Sequence, residues 1–176
     1  MNDLTVENIQ PPAQQDLQDS AELFSAERSA AGEKYIIFYL DEKLYAVSAR
    51  QVVEVIQPMP VTPLPKAPRW LTGIINLRGR IISVIDLSKL WDDQPSAFTP
   101  KSKLILLRSV NGEAAITFAV DRLNEIVALP GEAIRSIKRT DAPYLLGKTV
   151  YKSEDLYLLD ADKIYSFICF CLETNH

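Results

Sequence analysis

Histidine is almost missing: His176 is the single one in 176 residues, and it is the last residue given. A Ser–His or Cys–His catalytic pair has nothing to be built from. Cysteine is nearly as scarce. Cys169 and Cys171 are two residues apart, too close for an unstrained disulfide, and they lack further ligands at metal spacing, so they read as reduced thiols of a cytosolic chain. The six glycines form neither a Walker-type loop nor a dinucleotide-binding turn. No apolar run nears the ~20 residues of a membrane-spanning helix, and the N-terminus lacks the basic-then-apolar order of a signal peptide. Basic excess is absent too. Residues 1–34 carry seven acids against two bases, so this leader accounts for more than the whole net charge of −4 and leaves a nearly neutral body. A neutral body without a basic, aromatic strip argues against nucleic acid or an anionic membrane as partner. Carboxylates are plentiful, which leaves a paired-acid site as the open catalytic reading.

What is present is apolar and β-branched. At 47% hydrophobic residues the chain has ample material for a core. The clearest stretch is 70–90, WLTGIINLRGRIISVIDLSKL. Its runs 73–77 and 81–87 are short and β-branched, and Arg78, Gly79 and Arg80 divide them, which predicts a buried hairpin with two arginines at its tip. Residues 35–40 (YIIFYL) and 44–47 predict an earlier hairpin. Ser48 resembles an N-cap for a helical segment over 49–53. Five prolines between Pro58 and Pro68 exclude a helix there and suggest an extended strap, with an SH3-domain ligand as the rival reading. Further strands are expected at 103–107, 114–120, 144–150 and 156–159, with a turn at Asn111-Gly112 and a closing helix over 161–172 capped by Asp160. Residues 1–34 are polar; 14–31 has a thin apolar edge of Leu17, Ala21 and Phe24, and the leader is expected to be mostly disordered.

The second half repeats the first. Val52-Val53-Glu54-Val55 parallels Leu123-Asn124-Glu125-Ile126, and Trp70-Leu71-Thr72-Gly73 parallels Tyr144-Leu145-Leu146-Gly147. Gly73 to Gly147 and Asp86 to Asp160 share one offset of 74 residues. Two copies of an all-β unit of about five strands follow, one lobe over about 35–92 and the other over about 103–160. Features kept in both copies serve the fold most simply: Gly73 and Gly147 as points of close backbone approach, Asp86 and Asp160 as helix caps. Features of one copy are the functional candidates. Asn76, Leu77, Arg78, Gly79 and Arg80 face Val150, Tyr151, Lys152, Ser153 and Glu154, which read as a longer and chemically different turn.

These motifs resemble the CheW family, the coupling proteins of bacterial chemosensory arrays. The resemblance runs over about 35–170 and rests on Val52-Val53-Glu54-Val55, on residues 71–79 (LTGIINLRG), on 82–87 (ISVIDL), and on Phe118-Ala119-Val120-Asp121 followed by Glu125-Ile126-Val127. Arg80 and Thr117 depart from it, standing where many members have an apolar residue and a glycine. The resemblance implies two intertwined SH3-like β-barrels and an adaptor without catalysis or cofactor. It further implies two partners in the cytoplasm: the regulatory domain of a CheA-type histidine kinase and the cytoplasmic tip of a methyl-accepting chemoreceptor. The motif glutamate and turn arginine that matter for such contacts fall on Glu54 and Arg78.

Partner-binding candidates are therefore Val52, Glu54, Ile74, Asn76, Arg78, Gly79, Arg80 and Leu123. For Glu54 and Arg78 the plain alternative is a surface ion pair worth ~0–1 kcal/mol. Val52, Ile74 and Leu123 either line a groove for a receptor helix or belong to the core. The rival function is an SH3-like module of another signalling or motility complex.

Overall fold

The computed structural model describes residues 32–91, 99, 101–108, 116–137 and 142–174. Strands β1 (Glu33–Leu40), β2 (Lys43–Ser48), β3 (Val52–Ile56), β4 (Leu71–Leu77) and β5 (Arg80–Ile85) lead into a short helix, α1 (Leu87–Trp91). Next come β6 (Lys103–Leu107), β7 (Ile116–Val120), β8 (Arg122–Leu129), β9 (Arg135–Ser136), β10 (Leu145–Tyr151) and β11 (Glu154–Leu159), and helix α2 (Ala161–Thr174) follows. The expected strands are present, with residues 114–115 of the expected 114–120 strand outside the described residues, and β1 begins two residues before the anticipated start of the folded body. The expectations for the leader up to residue 31 and for the Asn111-Gly112 turn lie outside the described residues.

The strands form two sheets, in the orders β8-β1-β2-β11-β10-β9 and β3-β6-β7-β5-β4. This corrects the division into lobes of contiguous sequence. β1 and β2 leave the first copy to complete the sheet of the second, and β6 and β7 make the reciprocal move. The joins are parallel pairs at equivalent positions: Leu159 opposite Val47 in β11–β2, and Ile85 opposite Phe118 in β5–β7. The exchange explains the unbroken apolar runs. β1 is buried on both faces, with Tyr35 and Ile37 inside its own sheet and Ile36, Phe38 and Leu40 in the core between the sheets. β6 divides the same way, with Leu104 and Leu106 inside its sheet and Ile105 and Leu107 between the sheets. Strands covered on both faces lose the polar alternation of half-exposed ones.

The helix expected over 49–53 is a single turn. The Arg50 N–H donates to the Ser48 hydroxyl at 3.2 Å, so Ser48 holds the turn, but β-branched Val52, Val53, Val55 and Ile56 carry the chain straight into β3. The proline segment is a strap. Thr62 makes a two-hydrogen-bond bridge to Ile74 on the edge of β4, and Met59 and Val61 pack on the core of that sheet. In the other sheet β9 holds the equivalent edge, pairing Ser136 with Gly147. Both glycines sit at a register shift and face a backbone: a Cβ on Gly73 would lie 2.3 Å from the Thr62 carbonyl oxygen, and one on Gly147 would lie 2.6 Å from that of Arg135. The aspartates cap as expected. Asp86 Oδ1 accepts from the Lys89 N–H at 3.2 Å, and Asp160 Oδ1 from the Asp162 N–H at 3.0 Å.

Candidate functional site: a charged clasp at the edge of each sheet

The β4–β5 hairpin turns on two residues, Arg78 (φ +53°) and Gly79 (φ +83°), the left-handed pair that tight hairpins need. Asn76 stabilises it, its Oδ1 accepting the Gly79 N–H at 2.8 Å. Asn76 and Gly79 thereby position Arg78. Arg80 is the first residue of β5, paired with Leu77, and is exposed beside the turn.

The Arg78 guanidinium reaches back to the Glu54 carboxylate at 3.1 Å. Glu54 lies on β3, one edge of the five-stranded sheet, while the β4–β5 hairpin forms the opposite edge. The pair is thus a clasp that brings the two edges together, as a sheet curling toward a barrel requires. Arg78 is 77% exposed at its side chain and Glu54 25%. Apolar surface flanks the clasp: Val53 is 50% exposed and Ile81 64%.

The second copy has the same clasp. Lys152 is Arg78 advanced by 74 residues, and Glu125 is Glu54 advanced by 71. Lys152 Nζ meets Glu125 at 2.5 Å, again joining an edge strand, β8, to the hairpin of the opposite side, β10–β11. The hydrogen bond from Lys152, then that from Tyr151, holds the Glu125 carboxyl below its ordinary range, and the bond to Glu125 raises Lys152 in turn. The turn that read as longer is a two-residue turn as well, Lys152 and Ser153, both at positive φ. Being duplicated, the ion pair belongs first to the fold. What the first copy keeps for itself is the guanidinium in place of an amine, the Asn76–Gly79 bond and Arg80; exposed apolar residues neighbour both clasps, Val53 and Ile81 in one and Ile126 and Val150 in the other. The second clasp was within reach of the sequence, since both offsets are readable, but the dissimilar turn residues hid it.

The apolar candidates separate. Val52 is half-buried against the core between the sheets, opposite Leu107. Leu123, its counterpart on β8, lies opposite Phe38 and is 37% exposed. Both therefore border the seam between the sheets, one in each. Ile74 is on β4, half-buried, its backbone bonded to Thr62. Thr117 is wholly buried and spends its hydroxyl on the Ile105 carbonyl at 3.0 Å, which accounts for a hydroxyl in the core. Among the described residues no group of three or more His, Cys, Asp or Glu is arranged to hold a metal ion, and no helix is long and apolar enough to cross a membrane.

Comparison with known proteins agrees with this architecture. The family model for the CheW-like domain matches residues 34–168. The chemotaxis protein CheW of Treponema pallidum is 27% identical over 138 residues, covering 74% of this chain and 81% of that protein. CheW of Thermotoga maritima is 29% identical, covering 72% and 83%. Among solved structures, the scaffolding protein TtCheW of Thermoanaerobacter tengcongensis superposes with a TM-score of 0.68 at 25% identity, covering 74% of this chain and 86% of its own. With two duplicated, strand-exchanging sheets and a family match across nearly all of the folded body, the chain belongs to the CheW-like family of chemotaxis adaptors.

Proposed function

We propose that this adaptor joins the cytoplasmic tip of a methyl-accepting chemoreceptor to the regulatory domain of a CheA-type histidine kinase, by binding alone and without chemistry of its own. The observation that carries the reading is the Glu54–Arg78 clasp set between exposed Val53 and Ile81. An apolar patch with a charge fixed at its centre gives a partner both area and register. Asn76 and Gly79 shape the turn that presents Arg78, and Arg80 adds a second charge beside it. The kinase domain docks here. The receptor helix lies along the seam between the sheets, where Val52 and Leu123 occupy equivalent places and Ile74 extends the apolar surface from β4. The work is done in the cytoplasm, at the membrane-proximal arrays where such receptors gather.

Two titrations test the assignment. The isolated regulatory domain of a CheA-type kinase binds the wild-type chain, and a soluble receptor-tip fragment competes weakly or not at all, because the two sites are separate. Replacing Leu123 with Asp lowers receptor binding and spares the kinase. Absence of kinase binding by the wild type, or equal loss of both partners on Leu123→Asp, defeats the two-site reading.

A further inference from the structure

A single residue, Asp121, turns the chain from β7 into β8, and it is tied twice to the β1–β2 hairpin. Its N–H donates to the Tyr39 carbonyl at 3.0 Å, and its carboxylate accepts the Asp41 N–H at 2.9 Å. The Asp41 carboxylate in turn accepts the hydroxyl of Ser88, a buried residue of α1, at 2.5 Å. The exchanged hairpin of the six-stranded sheet is thereby joined to the helix that follows β5 of the five-stranded one, at the corner where the chain crosses between them. We propose that this junction is a proton-sensitive latch between the two sheets, tightened when Asp121 takes up a proton.

The junction gathers more negative charge than it offsets. Buried Asp86, at the start of α1, adds a third carboxylate, and the nearby cations are engaged: Lys89 Nζ meets Asp86 at 3.2 Å, and the Arg122 guanidinium lies over the Tyr39 ring at 3.7 Å. Among the described residues neither Asp41 nor Asp121 has an ion-pair partner. Burial, then the Asp41 and Asp86 carboxylates, raises the Asp121 carboxyl above its ordinary value; the Asp41 N–H and Arg122 pull the other way and are outweighed. The folded corner therefore holds its proton at a pH where the unfolded chain has released it. The added stability is complete below the unfolded value and is lost as pH rises through the folded one. Nor is this charge part of the repeat. The 71-residue step that carries Glu54 to Glu125 carries Arg50 to Asp121, so the equivalent corner between β2 and β3 bears the opposite sign. The duplicated fold closes without a carboxylate there, and the acidic corner belongs to one copy alone. Leu123 lies two residues further along β8, so the latch acts on the wall of the seam.

The test is an NMR titration of the full-length chain from about pH 8 to about pH 4. The Asp41 amide proton, which donates to the titrating carboxylate, moves with a midpoint above the ~3.9 of an ordinary aspartate. The amides of Ser88 and Leu123 move at the same midpoint. Asp121→Asn keeps an oxygen for the Asp41 N–H but carries no charge; it abolishes this titration and melts higher than the wild type at neutral pH, with the gap closing as pH falls. Asp41→Asn, by removing one carboxylate, lowers the Asp121 midpoint. Three results overturn the proposal: an Asp41 amide that titrates in the ordinary range, the same titration persisting in Asp121→Asn, or Ser88 and Leu123 failing to follow it. Neither kinase nor receptor enters these measurements, so their failure leaves the proposed function untouched, and the reverse holds too.

Discussion

Reversing the Glu54–Arg78 pair separates what the clasp does for the fold from what it does for a partner. Three variants are needed: Arg78→Glu, Glu54→Arg, and the two together. Arg78 is 77% exposed at its side chain, so the pair is largely solvated and contributes about 0.2–1 kcal/mol to stability. Each single reversal replaces an attraction by a repulsion of similar size. Against a typical folding stability of about 5–15 kcal/mol, every variant stays folded. A loss near 1 kcal/mol lowers the melting temperature by roughly 2–4 °C for a chain of this size. The double reversal restores the attraction and most of that stability. Binding follows a different rule. A kinase domain that reads a positive charge at the hairpin tip finds a negative one in Arg78→Glu, and finds it still in the double variant. Affinity falls at least about tenfold in both, which is ~1.4 kcal/mol. Thermal melts and a calorimetric titration of the four proteins give the full cycle. If the double reversal recovers binding together with stability, the clasp acts only through the fold and the docking assignment fails.

Three further predictions follow from the geometry. Gly73→Ala costs about 2–4 kcal/mol, because it strains a residue at φ +149° and drives a Cβ into the Thr62 carbonyl, whereas Gly79→Ala, with no atom within 4 Å of its Cβ, costs only about 1–2 kcal/mol; equal urea midpoints for the two would refute the close-approach argument. Asp160→Ala removes the cap of α2 and lowers stability by about 1 kcal/mol, read from denaturant midpoints at unchanged slope. Burial, with the Glu33 carboxylate adding to it, pushes the Tyr35 hydroxyl up to about 12. The folded state thus disfavours the phenolate. The stability this confers is intact below pH 10 and drains away as pH rises from 10 toward 12. Melting temperatures across that window fall less steeply in Tyr35→Phe, and identical slopes would contradict the assignment.

Local chemistry made much of this fold legible. The 70–90 hairpin declares itself through two β-branched runs around a glycine turn, and the caps through aspartates before short helical segments. β3 was obscured because Ser48 does form a capped turn, and nothing local says that it stops after one. The strand exchange was not readable from the residues, since periodicity reports that both faces of β1 are covered but not which copy supplies the cover. At the site, the charges of Glu54 and Arg78 pointed to each other. Their duplication in Glu125 and Lys152 was masked by a change from Arg-Gly to Lys-Ser that leaves the turn length unaltered.

The exchange of β1–β2 for β6–β7 also constrains how such a protein can change over time. A duplication in which each copy folds by itself can be undone by deleting either copy. Here, removing the second half leaves β1 and β2 with no sheet to join, and β3, β4 and β5 without the two strands that bridge them. Neither remainder has a closed hydrogen-bonding ladder or a complete core. The ancestral single unit is no longer one deletion away, and the pair is locked as a pair. Variation is left to the surface residues around two clasps that began alike, and there Arg78 with Val53 and Ile81 has already parted from Lys152 with Ile126 and Val150.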